Sequence, residues 1–199
     1  MIEYQRRIGI TGGIASGKSS VGRFLYEVKG LPILDADIYA REELENNTDC
    51  IDKILRRYSH KENISIRNQP LKINREKLAE IIFHDIKERK WLEELIHPNV
   101  RIRLESELKK HQDKPIVILV IPLLFEAKFE DLCNEVWVIY CEIEQQYERL
   151  MARNKIDRHK AKKIIESQFS IKEKARRANI IIDNRGMMNS WINEIEKYI

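Results

Sequence analysis

The stretch from Gly12 to Ser19 constrains this chain more than any other, because it reads G-G-I-A-S-G-K-S. It matches the phosphate-binding pattern G-x4-G-K-[ST], and it stands between an apolar run and an amphipathic segment, as a strand–loop–helix unit requires. Glycines let the backbone turn several N–H groups towards one anion, and the positive end of the following helix faces the same point. The pattern predicts a nucleoside triphosphate site, although it does not distinguish a kinase from a switch or a motor. The residues expected to bind the nucleotide are Gly12, Gly13, Ile14, Ala15, Ser16, Gly17, Lys18, Ser19 and Ser20.

Two side chains of this loop are expected to carry its chemistry. Lys18 reaches the β- and γ-phosphates in such a loop, and the hydroxyl of Ser19 ligates Mg²⁺. The predicted cofactors are therefore ATP, or another nucleoside triphosphate, and Mg²⁺.

Five short runs rich in isoleucine and valine predict the strands of a parallel sheet. They are mostly continuous rather than alternating, which is typical of strands buried on both faces. Helical segments lie between them, so the predicted fold class is α/β, a P-loop sandwich with a five-stranded parallel sheet. The predicted strands are Ile8–Thr11, Pro32–Asp35, Ile116–Ile121, Val136–Tyr140 and Ile180–Ile182. The predicted helices are Val21–Val28, Asn74–Phe83, a segment from Asp85 to about His111, Gln145–Arg153, His159–Gln168 and Trp191–Tyr198.

The stretch from Thr48 to His111 contains no convincing strand. We therefore expect a single domain whose core, 1–47 and 112–199, carries a mostly helical insertion of about 48–111. Asp85 and Glu88 have the spacing of a capping box at the start of a helix. Pro98 is expected to interrupt that helix or to begin the next one.

The charge of the chain is concentrated in one segment. The net charge is +4, yet residues 149–177 hold eleven Lys or Arg against three Asp or Glu. Such a segment indicates a local anion site or a solvated helical face. Nucleic acid binding is not expected, because Phe169 is the one aromatic residue in the segment.

Other features of the composition exclude a membrane protein and a secreted disulfide scaffold. No apolar run approaches the roughly 20 residues that span a bilayer, and the polar opening of the chain lacks a signal-peptide core. The three cysteines are odd in number and lack metal-ligand spacing. We expect a cytoplasmic protein with reduced thiols that is a monomer or a weak homo-oligomer.

Two carboxylates follow the second predicted strand, in the sequence Leu34-Asp35-Ala36-Asp37. Ligands of open parallel sheets bind beyond the carboxyl ends of the strands. One of the two acids is expected to accept a proton from a substrate hydroxyl, and the other to orient Mg²⁺ through water. Their spacing does not decide which is which, and Asp37 could instead cap a helix that begins at Ile38.

Arginines in the basic segment complete a phosphoryl-transfer hypothesis. Arg149 and Arg153 are four residues apart and so share one helical face, and Arg158 follows a short turn. Arginines on a closing lid neutralise the charge that spreads over the transferred phosphoryl group, and closure excludes water. We expect this arginine-bearing lid at about 149–168.

A GTPase-like switch is the alternative from a different class. Residues 154–157 spell N-K-x-D and residues 183–186 spell D-x-x-G. Both stand in the wrong context, because N-K-x-D follows a predicted helix and D-x-x-G comes after it in the chain. Nucleotide preference separates the two hypotheses, since a kinase of this kind uses ATP and a switch binds GTP and GDP tightly.

Taken together, the motifs resemble one family, the dephospho-CoA kinases. The resemblance covers nearly the whole chain in order, and its most distinctive part is the D-A-D-x-x-A-R block at Asp35–Arg41. The other matching motifs are the P-loop I-G-I-T-G-G-I-A-S-G-K-S-S, the helical motifs N-R-E-K-L-A-E-I-I-F and W-L-E-E-L-I-H-P, V-I-P-L-L-F-E after the third strand, R-L-M-A-R with Gln168 in the lid, and the final I-D-N-R-G.

The resemblance implies transfer of the γ-phosphate of ATP to the 3′-hydroxyl of dephospho-CoA, with Asp37 as the general base and Asp35 in support. It also implies that the helical insertion binds the acceptor and that Asn184 lies near the adenine. A nucleoside or nucleotide monophosphate kinase is the alternative among enzymes. The residues that the resemblance places towards the acceptor are Asp37, Arg41, His97, Pro122, Leu123 and Glu126.

Overall fold

The protein is described by a computed structural model that covers residues 4–61, 64–66, 69–187 and 190–199. Its main sheet has five parallel strands in the order β2-β5-β1-β6-β7, and β3 and β4 form a separate antiparallel pair. The strands are β1 (Arg6–Gly12), β2 (Ile33–Asp35), β3 (Ser65–Ile66), β4 (Gln69–Ile73), β5 (Ile116–Val120), β6 (Glu135–Tyr140) and β7 (Ile180–Asp183). The predicted five-stranded parallel sheet is therefore confirmed.

Strand β1 lies at the centre of the sheet and is buried from Ile8 to Gly12. Ile8 and Ile10 are fully buried, as are Val21 and Leu25 of the helix that follows the strand. They form one core cluster with residues of β5, β6 and β7 and with Trp191 near the end of the chain. Since all five strands are parallel, their carboxyl ends lie along one edge, and the loop after β1 begins at the middle of that edge.

Nine α-helices and one short 3₁₀ helix, Glu130–Leu132, are present in the described part of the chain. The helix after β1 begins at Lys18, where the phosphate-loop pattern places it. The last helix is shorter than the predicted Trp191–Tyr198, and the helix at 171–176 had no counterpart in the prediction. The helix at 36–46 begins two residues before the alternative start at Ile38, and the helix at 48–57 lies in the stretch expected to be mostly helical. The helices are α1 (Lys18–Glu27), α2 (Ala36–Asn46), α3 (Thr48–Arg57), α4 (Arg75–His84), α5 (Ile86–Lys110), α6 (Ile143–Asn154), α7 (Arg158–Glu166), α8 (Ile171–Arg176) and α9 (Ile192–Ile195).

The chain divides into two compact units. One comprises Met1–Asp35 and Glu107–Ile199 and holds the main sheet, and the other is Ala36–Ser106. The second unit thus begins directly after β2, earlier than the insertion expected from Thr48, because α2 groups with the helices that follow it.

The expectation that this insertion lacks strands is wrong. Strands β3 and β4 pair in an antiparallel way, with Ser65 opposite Ile73 and Ile66 opposite Gln69. The backbone N–H of Asn74 also donates to the carbonyl of Ile64 at 2.7 Å, which closes the base of the hairpin. Strands of two and five residues carry too short a pattern to be recognised from periodicity.

The expectation that Pro98 interrupts its helix is also wrong, because α5 runs through it without a break. A proline inside a helix removes one backbone hydrogen bond and costs about 3 kcal/mol or more. An apolar stripe repeated every four residues accounts for the continuity, since burying it as one helix offsets that cost. The stripe consists of Leu92, Ile96, Val100, Leu104 and Leu108, all of which are buried.

Half of the expected capping box is present at the start of α5. The carboxylate of Asp85 accepts from the backbone N–H of Lys87 at 2.7 Å. Glu88, however, directs its carboxylate to Arg57 at 2.6 Å and to the hydroxyl of Tyr58 at 2.6 Å. The Glu88 carboxylate therefore pairs with Arg57 and Tyr58, and it does not cap the backbone N–H of Asp85.

Candidate active site

The loop between β1 and α1 has the geometry of an anion cradle. Gly17 precedes the helix with a φ of 103°, which a residue with a side chain rarely adopts. Within the loop the N–H of Ser16 donates to the carbonyl of Gly13 at 3.2 Å, and the N–H of Ser20 donates to the carbonyl of Gly17 at 3.0 Å. The hydroxyl-bearing Ser19 is exposed on the first turn of α1. The sequence therefore forms the strand, loop and helix that phosphate binding requires.

Lys18 lies along this loop rather than extending into solvent. Its ammonium donates to the carbonyl of Gly12 at 3.0 Å and to that of Gly13 at 2.8 Å, and the residue is buried. The charge is thus held at the loop backbone, where a bound phosphate would meet it. The role of Lys18 in binding phosphate stays a prediction.

Asn184, which follows β7, contacts the backbone of the loop between β1 and α1. Its side-chain amide donates to the carbonyl of Ser16 at 2.8 Å, and its own N–H donates to the carbonyl of Tyr140 at 2.7 Å. A Cβ atom on Gly17 would overlap the Asn184 amide, so the contact is as close as a glycine allows. Asn184 therefore supports the loop backbone directly, and its predicted place near the adenine remains a prediction.

Arg149 of α6 lies next to Asn184. Its guanidinium donates to the carbonyl of Asn184 at 3.1 Å, which sets it beside the loop that Asn184 supports. The buried thiol of Cys141 lies near both Arg149 and Lys18, and burial raises its pKa. Burial outweighs the two cations, so this thiol is held in its neutral form.

The other two lid arginines are engaged elsewhere. Arg153 donates to the side chain of Asn154 at 2.9 Å, and Arg158 pairs with Glu144 at 2.8 Å and stacks on the ring of Tyr147. Helices α6 and α7 share a small core of Tyr147, Leu150, Ala161 and Ile165, against which Ile14 and Ala15 of the loop also pack. The lid segment thus contacts the phosphate loop through apolar side chains, whereas the hydrogen bond of Arg149 goes to Asn184.

Gln146 is a buried residue of α6 that the sequence argument missed. It is 1% exposed and lies against Gly13, where a Cβ atom would overlap its amide. Its Nε2 atom is buried and has no hydrogen-bond partner among the described residues. Its position three residues before Arg149 on one helix was the available signal, because positions i and i+3 share a face.

The two candidate acids occupy different places relative to their elements. Asp35 is the last residue of β2, at the edge of the sheet where β1 leads into the phosphate loop. Asp37 lies in the first turn of α2, which begins at Ala36. Because the helix begins before it, Asp37 does not cap a helix starting at Ile38. Its side chain is exposed, as is that of Arg41 one turn later.

His97 lies within α5 and is half-buried. Burial lowers its pKa below the ordinary value of 6.5, so the imidazole is neutral near pH 7. A neutral imidazole can donate one hydrogen bond and accept another. Its predicted contact with the acceptor remains a prediction.

The turn after β5 is bound into the protein through its polar atoms. The carbonyl of Pro122 accepts from the hydroxyl of Thr11 at 3.1 Å, and Leu123 is half-buried. The carboxylate of Glu126 pairs with Lys174 at 2.9 Å. The Glu126 side chain expected to face an acceptor is thus already engaged by a cation of its own chain.

Three further observations bear on the class of protein. The three cysteines are free thiols. Within the described ranges, no group of three or more His, Cys, Asp or Glu side chains is arranged to hold a metal ion. No helix in that part of the chain combines the length and the apolar character needed to cross a bilayer.

Comparison with known proteins gives a consistent result. A sequence profile described as dephospho-CoA kinase matches residues 6–190. The dephospho-CoA kinase of one strain of Prochlorococcus marinus is 48% identical over 196 residues, which cover 96% of this chain and 91% of that protein.

Solved structures agree with the sequence comparison. The structure of a dephospho-CoA kinase from Campylobacter jejuni superimposes with a TM-score of 0.70 at 30% identity, covering 98% of this chain and 96% of that one. A shikimate kinase from Acinetobacter baumannii matches at a TM-score of 0.53 and 18% identity over 99% of this chain and 92% of that one, a likeness of fold alone.

Proposed function

This chain belongs to the dephospho-CoA kinase family, and we propose on that premise that it transfers the γ-phosphoryl group of ATP to the 3′-hydroxyl of dephospho-CoA, releasing CoA and ADP. The observation that carries the proposal is the family match over residues 6–190, which includes the phosphate loop, the D-A-D-x-x-A-R block and the arginine segment. We further propose that the reaction takes place in the cytoplasm, as the last step of coenzyme A synthesis.

The phosphate loop binds the β- and γ-phosphates in this proposal. Its N–H groups and the amino end of α1 face the anion, and Lys18 exchanges the carbonyls of Gly12 and Gly13 for phosphate oxygens. Because those carbonyls hold the ammonium at the loop before ATP arrives, little side-chain reorganisation is needed. Asn184 keeps the Ser16 carbonyl turned away from the phosphates.

Mg²⁺ fits the donors that the loop offers. This ion retains several waters and binds through substrate phosphates and one or two protein oxygens. The exposed hydroxyl of Ser19 is such a donor, with Asp35 able to act through water. When bound, Mg²⁺ neutralises charge on the β- and γ-phosphate oxygens.

Proton removal from the acceptor hydroxyl is assigned to Asp37, with Asp35 in a supporting role. The carboxylate of Asp37 is exposed in the first turn of α2, where a substrate can reach it. Arg149, already beside the loop, stabilises the negative charge that spreads over the transferred phosphoryl group. Arg153 joins it when the lid closes and its bond to Asn154 is exchanged for the phosphoryl oxygens.

The residues proposed to contact the acceptor are Arg41, His97 and the turn that contains Pro122, Leu123 and Glu126. Arg41 supplies a cation for the phosphates of dephospho-CoA, and the neutral imidazole of His97 supplies a hydrogen bond without adding charge.

The structure gives the GTPase-like motifs other roles. Asp157, in N-K-x-D, caps α7 by accepting from the N–H of Lys160 at 2.7 Å. Asp183, in D-x-x-G, pairs with Arg185 at 2.8 Å, and this guanidinium lowers the pKa of Asp183. Both carboxylates are used locally, which favours the kinase.

The proposal is tested by ADP release from the purified protein with ATP and Mg²⁺, comparing dephospho-CoA with AMP, CMP and adenosine as acceptors. Turnover with dephospho-CoA alone is expected. Asp37→Asn should then lower kcat by about 10²–10⁴-fold if Asp37 is the base, whereas Asp113→Asn, an exposed aspartate after α5, should not. Turnover with a nucleotide instead would remove the substrate assignment, and tight GTP binding without turnover would point to a switch.

A further inference from the structure

Lys174, on the short helix α8, has no exposed side-chain surface. Its ammonium donates to the carbonyl of Pro122 at 2.6 Å and pairs with Glu126 at 2.9 Å. A lysine is rarely buried unless it is paired, because removing an ammonium from water is costly. Burial lowers the pKa of Lys174, and Glu126 opposes that shift. The charge is retained inside the protein only because these two acceptors hold it.

Both acceptors of Lys174 also bind a second donor. The carbonyl of Pro122 accepts from the hydroxyl of Thr11, which directly precedes the phosphate loop. The Oε1 atom of Glu126 accepts from the backbone N–H of Phe169 at 2.8 Å. Phe169 is the first residue after the lid segment, which ends at Gln168. One ammonium therefore joins three segments: the end of β1, the turn after β5, and the point where the chain leaves the lid.

We call the cluster of Lys174, Pro122, Glu126, Thr11 and Phe169 the junction. Packing around this junction supports the same arrangement. The turn after β5 is closed by the N–H of Ala127, which donates to the carbonyl of Leu123 at 2.8 Å. The guanidinium of Arg177 lies 5.5 Å from the ring centre of Phe125 and 5.1 Å from that of Phe169. A cation between two aromatic rings fixes the turn to the lid end on the surface side, as Lys174 does on the buried side.

We propose that Lys174 is a positioning residue for phosphoryl transfer, which sets the acceptor-facing turn Pro122–Glu126 and the carboxyl end of the lid in one fixed arrangement. Glu126 then acts through the position of this turn. Its Oε1 atom already accepts from two donors, and its Oε2 atom is buried and has no partner among the described residues. The kinetic consequence rests on the proposed function, whereas the junction itself does not.

Three variants test the role. Lys174→Met removes the charge at similar length, Lys174→Arg keeps it in a planar group that cannot reproduce both contacts, and Lys174→Met/Glu126→Gln removes both charges. Lys172→Met is the matched control, because Lys172 is an exposed lysine on the same helix. For each we would measure KM for dephospho-CoA, kcat, the Kd for ATP, and hydrogen exchange of the Phe169 amide.

We expect Lys174→Met to raise KM for dephospho-CoA about tenfold, as the loss of a charged hydrogen bond implies, with the Kd for ATP changed less than about threefold. The Phe169 amide should exchange faster. The double variant should recover part of both losses, because it leaves no buried unpaired carboxylate. Lys172→Met should behave as the wild type.

An unchanged KM together with a protected Phe169 amide would overturn the proposal, and so would a lower melting temperature with no change in KM. If Lys174→Met does not fold, Lys174→Arg and the double variant decide by the same two readouts. If the wild-type protein does not phosphorylate dephospho-CoA, the proposed function fails. The exchange rate of the Phe169 amide still reports on the junction in that case.

Discussion

Replacing Asn184 by alanine tests whether the phosphate loop depends on support from the far end of the chain. The substitution removes the amide that donates to the Ser16 carbonyl at 2.8 Å, in a place where Asn184 is 8% exposed and Ser16 is fully buried. Leaving a buried carbonyl without a donor costs about 1–3 kcal/mol. The bound form of the loop needs this carbonyl in place, so a cost of about 2 kcal/mol should weaken ATP binding about thirtyfold.

Calorimetric titration of ATP into Asn184→Ala measures this effect directly. Asn134→Ala is the control, because Asn134 also bridges backbone groups but at the amino end of β1. It accepts from the N–H of Arg7 at 2.8 Å and donates to the carbonyl of Gln5 at 2.8 Å. That variant should lose stability while its Kd for ATP stays within about twofold, since the loop is untouched. The reasoning is refuted if Asn184→Ala binds ATP as tightly as the wild type, or if both variants weaken binding equally.

Gly17→Ala should abolish measurable ATP binding in the same titration, because the added Cβ would overlap the Asn184 amide at a φ of 103°; wild-type affinity would contradict the close contact. Arg149→Lys should lower kcat at least about tenfold with a small change in ATP affinity, because an ammonium cannot reproduce the paired N–H donors of the planar guanidinium. An unchanged kcat would place Arg149 outside the reaction. Arg57 and a tyrosine hydroxyl hold the pKa of Glu88 to about 2, below its ordinary 4.5. The pair thus stabilises the fold above pH 4.5 and is lost as the pH falls towards 2, so urea unfolding of Glu88→Gln and the wild type should differ at pH 7 and converge between those values; a constant difference would exclude the pair as its cause.

The sheet could be predicted from the sequence because its signal is local. Continuous runs such as Ile116–Ile121 have no polar face, so they belong in a strand buried on both sides. The order of the strands could not be read in this way, since it depends on which runs pack together. Pro98 shows the opposite case, in which a strong local rule is overridden by a stripe of buried side chains along α5.

In the candidate site, too, the features with a local sequence signal could be predicted, and those that depend on tertiary contacts could not. The phosphate loop follows from its own residues, and the structure has the predicted strand, loop and helix there. Gln146 and Lys174 were missed because a polar residue on a helix gives no sign of whether it is buried until its partners are known. Asn184 was selected by resemblance, but its contact with Ser16 joins residues that are far apart in the chain. The roles of the acids and of the acceptor-facing residues stay predictions.

The central position of β1 has a consequence for how the protein is made. In the register of the sheet, Arg6 of β1 lies opposite Ile116 of β5, and Ile8 of β1 lies opposite Glu135 of β6. Asn184, which comes still later in the chain, supports the phosphate loop. While the first hundred residues are synthesised, β1 is therefore an apolar strand with two unpaired edges, which is a hazard for aggregation. Closing such long loops is slow because their entropy must be lost before the pairing is gained. A chain whose synthesis has not passed residue 184 should therefore bind ATP more weakly, so ATP binding favours molecules that have finished folding.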